Sequence, residues 1–86
     1  MKQFKQILDS CYKLMLSRNK KYGDSWRVLS IPTIANLIEA KMNRISKLGL
    51  DSKTEDEFID AINYSVFGLI KFYESKIKDE KRNNKI

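Results

Sequence analysis

The sequence contains no histidine, one cysteine, one proline and three glycines. Without histidine it lacks the commonest general base near neutral pH and the usual nitrogen ligand of zinc, which disfavours Ser-His or Cys-His catalysis and zinc chemistry. A single cysteine, Cys11, has no partner for an internal disulfide. It falls on the apolar face of its helix and reads as a buried, reduced thiol of an intracellular, cytoplasmic protein. No stretch approaches the ~20 uninterrupted apolar residues of a membrane span. The opening Met-Lys-Gln-Phe-Lys is followed by no long apolar run or small-residue cleavage site, so we expect no secretory signal. Repeats, strand-like alternation and internal domain boundaries are also missing. A chain of 86 residues can enclose one modest core. We expect a single helical domain over residues 1–78 and a basic, disordered tail over 79–86.

What is present is helical periodicity. Phe4, Ile7, Leu8, Cys11 and Met15 share one face of a first helix from Gln3 to about Lys20, and Arg18 continues that stripe at its end. Arg18 there either snorkels over the core edge or aims into a site between helices. Ser30-Ile31-Pro32-Thr33 suits the start of a second helix, with Ser30 as N-cap and proline in the first turn. Ile31, Ile34, Ala35, Ile38, Met42 and Ile45 would form its buried face, and Gly49 a left-handed stop. Thr54 and Glu57 read as a capping box opening a third helix that extends to about Ile77. Along it Phe58, Ile62, Val66, Leu69 and Tyr73 make an apolar stripe, widened by Ile59, Ile70 and Ile77. On the opposite side Glu57, Asp60, Tyr64 and Lys71 lie within about 60° of one another, with Asn63 at the margin. The expected fold is an all-α antiparallel bundle of three helices, with room for a short extra turn near Trp26–Leu29. Three such helices bury little surface alone, so we expect homo-oligomers, dimers or larger, formed through the apolar central helix.

The net charge of +6 is distributed unevenly: +5 over residues 1–27, −2 over 28–70 and +3 over 71–86. Basic ends around an acidic middle suit a polyphosphate with a divalent cation, or equally a lysine-rich surface. The segment from Arg18 to Arg27 packs Arg18, Lys20, Lys21 and Arg27 around Tyr22 and Trp26, the only tryptophan. It reads either as a helix-helix loop anchored by two aromatic rings or as a phosphate and base site. Glu57 and Asp60, three apart on one helix, place two carboxylates on one face. Glu39 on the second helix is a third candidate ligand for magnesium, which takes six oxygens with water and phosphate among them. Glu55, Asp56 and Glu57 are equally explained by the helix dipole, whereas Asp60 lies beyond the first turn.

Two patterns resemble known families. Glu57-Phe-Ile-Asp60-Ala-Ile-Asn-Tyr64 is similar to the third-helix motif of the all-α nucleoside triphosphate pyrophosphohydrolases of the MazG and dimeric dUTPase type, whose Glu-x-x-Asp binds magnesium. Asn19-Lys-Lys-Tyr22-Gly23-Asp-Ser25-Trp26-Arg27, then Lys41-x-x-Arg44-Ile45, then Asp60-x-x-Asn63-Tyr64 resembles the nucleotide-modification-associated domain type 1 family of phages and bacteria over roughly residues 4–75. The resemblance implies an intracellular, phage-related, MazG-like domain that binds a nucleotide. Arg18, Lys20, Lys21 and Arg27 would then neutralise phosphate, with Tyr22 or Trp26 beside the base. Glu57 and Asp60 would be catalytic and, with Glu39, hold magnesium, while Lys41, Arg44, Asn63 and Tyr64 complete the pocket wall. An enzyme of this kind would cleave between the α and β phosphates. The second helix offers Met42 and Asn43 after Glu39 where MazG-type enzymes carry another acid. That incomplete set supports a second reading, a non-catalytic module that sequesters a nucleotide or inhibits a host protein. A third reading is nucleic-acid binding through the basic loop and tail.

Overall fold

A computed structural model describes residues 1–23 and 25–83, with the side chains of Tyr22 and residues 81–83 left aside. The elements are α1 (Lys2–Tyr22), a 3₁₀ turn (Ser25–Val28), α2 (Ile31–Leu48) and α3 (Thr54–Asn83). The class is all-α, with three main helices and a short turn over Ser25–Val28, overlapping the expected one. α2 packs extensively on α3, and α1 meets α3 more lightly. No helix among the described residues is long and apolar enough to cross a membrane.

The helix boundaries follow local chemistry. Gly23 ends α1 at φ 69°, its N–H bonded to the Asn19 carbonyl at 2.7 Å. Gly49 ends α2 at φ 65°, its N–H 2.8 Å from the Ile45 carbonyl. Both occupy the region that glycine enters without steric cost. Ser30 caps α2, accepting from the Thr33 N–H at 3.2 Å, with Pro32 in the first turn where no donor is lost. The start of α3 differs from the expected capping box. The Thr54 hydroxyl accepts from the Asp51 N–H at 3.0 Å and donates to the Gly49 carbonyl. Asp51 in turn accepts from the Lys53 N–H at 3.0 Å, and this bond, with that from the Ser52 hydroxyl, holds its carboxyl below the usual range. The Glu57 side chain is instead drawn to Lys41 and Arg44 on α2, because two cations attract a carboxylate more strongly than one backbone N–H. α3 also continues through Asn83, although its apolar pattern fades after Glu74. Residues 84–86 of the expected tail lie outside the described residues.

The largest departure concerns which face of α3 is inside. Among the described residues, the buried apolar ones are Cys11, Ile34, Ala61 and Phe67. Phe58, Val66, Leu69, Tyr73 and Ile77, expected in the core, are each 46–55% exposed. α2 packs on the other side of α3, and α1 lies along the flank that carries Asn63 and Ile59, so that Ile59, Ile62 and Ile70 are half-buried. Small residues allow that approach, with Ala61 buried and the Gly68 backbone adjoining Ile34, whose Cγ2 lies 3.8 Å from where a Cβ would stand. On α2, Ile34 is buried and Ile38 and Ile45 half-buried, whereas Ile31, Ala35 and Met42 are more exposed than expected. The side of α3 bearing Glu57, Asp60 and Tyr64 is therefore the one turned towards the bundle.

Candidate functional site

Two adjoining features occupy that inner side: a chain of ion pairs and an open cavity. Asp60 stands between α1 and α2. It accepts from Arg18 Nη1 at 2.5 Å and from Lys41 Nζ at 2.9 Å. Lys41 Nζ lies 3.4 Å from Glu57 Oε2, which is also 3.3 Å from Arg44 Nη2. Lys41 thus sits between the two carboxylates, and all three side chains are largely shielded, at 17%, 13% and 19% exposure for Lys41, Glu57 and Asp60. Among the described residues Glu57 Oε2 has no hydrogen bond of full geometry, and its two cationic neighbours hold it chiefly by charge. Burial works to raise the Asp60 pKa, but the bonds and charges of Lys41 and Arg18 outweigh it and hold the carboxyl below its usual range. The Asp60 hydrogen bond, opposed by desolvation, raises the Lys41 ammonium above its ordinary value. Both shifts favour the charged pair. Such a pair adds little net stability over an apolar contact, but removing one partner strands the other's charge.

The donor set does not fit a divalent cation as it stands. Both carboxylates already face cations, and among the described residues no group of three acidic, histidine or cysteine side chains converges. Glu39 does not join them. It is exposed and falls roughly 150° around α2 from Ile34 and Lys41, which face α3.

Beside Asp60 opens a cavity of about 360 Å³ between the end of α1, the 3₁₀ turn and α3. Arg18, Asn19, Trp26, Asp60, Asn63, Tyr64 and Phe67 are among its walls. The Trp26 ring stacks on Phe67 with centroids 4.3 Å apart and planes inclined by 7°, and Tyr64 meets Phe67 edge-on at 6.2 Å. The Arg27 guanidinium lies over Trp26, 4.7 Å from its centroid, and 3.6 Å from Glu74. Lys71 Nζ donates to the Arg27 carbonyl at 2.7 Å and ties the turn to α3. Asn63 Nδ2 lies 3.4 Å from the Cys11 carbonyl, a long bond between α3 and α1. The buried Trp26 Nε1–H has no acceptor among the described residues.

Of the residues singled out in the sequence, Arg18, Trp26, Asp60, Asn63 and Tyr64 meet at this cavity, and Lys41, Arg44 and Glu57 form the ionic chain beside it. Arg27 borders the cavity by covering Trp26. Lys20 lines a separate depression with Lys13 and Leu16, and Lys21 is exposed. The side chain of Tyr22 lies outside the described residues. Sequence reasoning missed Phe67 and Leu29. Phe67 falls on the Asp60 and Asn63 side of the helical wheel, away from the apolar stripe, and that position was the available signal.

Fold and site together define a small helical-bundle domain with an aromatic and cationic cavity sealed on one side by ion pairs. The pattern of the family described as nucleotide modification associated domain 1 matches residues 18–72, more than half of the chain, and the protein belongs to that family. The match spans the site from Arg18 to Lys71. No curated protein and no solved structure matches the chain.

Proposed function

We propose that the domain binds a phosphorylated nucleoside in the cavity beside Asp60, and binds it without a divalent metal. The observation that carries this reading is the joining of an aromatic wall to a cationic one. A base has the Tyr64 ring and the edge of Trp26. A phosphate has the Arg18 guanidinium, which is 42% exposed and commits one donor to Asp60 out of five. Asn19 and Asn63 add amide groups suited to sugar or base edges. Membership in a nucleotide-associated family supports the same ligand class. Because Lys41, Arg18 and Arg44 already neutralise Glu57 and Asp60, the acids serve to orient cations rather than to recruit a metal. That favours binding over phosphate-ester hydrolysis, since in-line attack on a triphosphate relies on a cation bridging its oxygens.

The test uses Trp26, the only tryptophan, as an internal probe. Titrating ribo- and deoxynucleoside triphosphates in EDTA should change its fluorescence saturably. Arg18→Ala should weaken binding at least about 10-fold, the loss of one charge-assisted hydrogen bond. No response to any nucleotide, or equal affinity in Arg18→Ala with helicity retained, would overturn the reading.

A further inference from the structure

The outward face of α3 is built as an interface. We propose that a second copy of this chain covers it, the two α3 helices lying antiparallel about a two-fold axis. Phe58, Val66, Leu69, Tyr73 and Ile77 follow one another at helical spacing, and each is about half exposed. The stripe continues into an apolar groove of about 470 Å³ between α3 and α1, walled by Ile7, Cys11, Phe58, Ile59 and Ile62. On α1, Phe4, Ile7 and Leu8 extend it, at 59%, 50% and 41% exposure.

The exposed area leaves room for an occupant the size of a protein. The chain exposes 7197 Å², whereas a compact monomer of 10.1 kDa exposes about 5,300 Å². The excess is more than twice the roughly 800 Å² that each partner contributes to a standard interface. The radius of gyration agrees, at 15.6 Å against about 12 Å for a globular chain of this length. A second copy is singled out because the stripe is self-complementary. Its midpoint lies between Val66 and Leu69, so an antiparallel mate sets Phe58 beside Ile77 and Ile62 beside Tyr73, twice over. Symmetric pairs of this kind are the commonest assemblies.

Charge selects the direction. Residues 54–60 carry four acids and no base, while residues 71–86 carry a net +3. Parallel helices would bring like ends together, and antiparallel helices bring each acidic start to a basic end, with opposed dipoles. The interface lies on the other side of α3 from the cavity, so assembly and ligand binding are separable.

Light scattering after gel filtration at micromolar concentration tests this. The full chain should elute with twice the 10.1 kDa chain mass. Phe58→Lys and Ile77→Glu should each weaken association by roughly 100-fold, and the double variant should restore it by pairing lysine with glutamate across the axis. A wild-type mass of one chain would overturn the proposal, and this outcome depends on no variant folding. Folded single variants that remain paired would also overturn it, as would a folded double variant that stays a monomer.

Discussion

The two faces of α3 contrast in composition and in what they touch. The inner face carries Glu57, Asp60 and Tyr64 but is turned towards α1 and α2. The outer face carries Phe58, Val66, Leu69 and Tyr73 but is half in water. Hydrophobicity alone predicts the reverse, since burying apolar area is the larger driving force. The reversal teaches that packing of small residues and charge pairing settle the docking side here. Ala61 and Gly68 let α2 approach, and Lys41, Arg18 and Arg44 reward the approach by meeting both carboxylates. The apolar side is left half exposed.

Substitutions can break this contrast, and the largest effect belongs to the inner face. Ile34→Ala removes the side chain packed on Gly68, 2% exposed, and should cost about 2–4 kcal/mol in urea unfolding. A cost near zero would mean that α2 is not held there. Asp60→Ala strands Arg18 and Lys41 and should cost about 1–3 kcal/mol, less than a fully buried pair because the site is partly solvated. Acid sharpens the same point. Since the folded-state pKa of Asp60 is depressed, its contribution is complete above the ordinary carboxylate range and is lost as pH falls below about 4. Asp60→Asn should flatten that loss, and an unchanged acid profile would count against the ion chain. Lys41 has the opposite sign: its raised pKa supplies stability that disappears only as pH climbs beyond the lysine range. Smallest is the outer face. Leu69→Gln, assayed dilute enough for single chains, should change unfolding free energy by no more than about 0.5 kcal/mol, so a large loss would show that Leu69 is core after all.

These faces also show what a sequence can carry. Ser30, Gly49 and the break at Gly23 were legible because caps and stops are local chemistry, and three helices follow from their spacing. Trp26, Asp60, Asn63 and Tyr64, which line one cavity, stand in the family motif, and Arg18 beside them was marked by its place at the end of the first helix's stripe. Which side of α3 would face the bundle was not, because a helical wheel gives the angle between stripes but not the direction of the neighbours. The pairing of Glu57 was hidden for a related reason. Thr54 and Glu57 have capping-box spacing, and only the position of Lys41 and Arg44 on another helix decides where that carboxylate turns. Glu39, plausible as a third acid in sequence, is set apart by the same unknown rotation of α2.

The central claim is that the inner acids serve a cationic pocket and not a metal. Phosphorus NMR of a nucleoside triphosphate with the full chain, first in EDTA and then with magnesium, tests it directly. The account predicts shifted or broadened nucleotide signals in EDTA, little change when magnesium is added, and no pyrophosphate. Monophosphate and pyrophosphate signals that arise only with magnesium would contradict it, and would mean that Lys41 yields its place between Glu57 and Asp60 to a divalent ion.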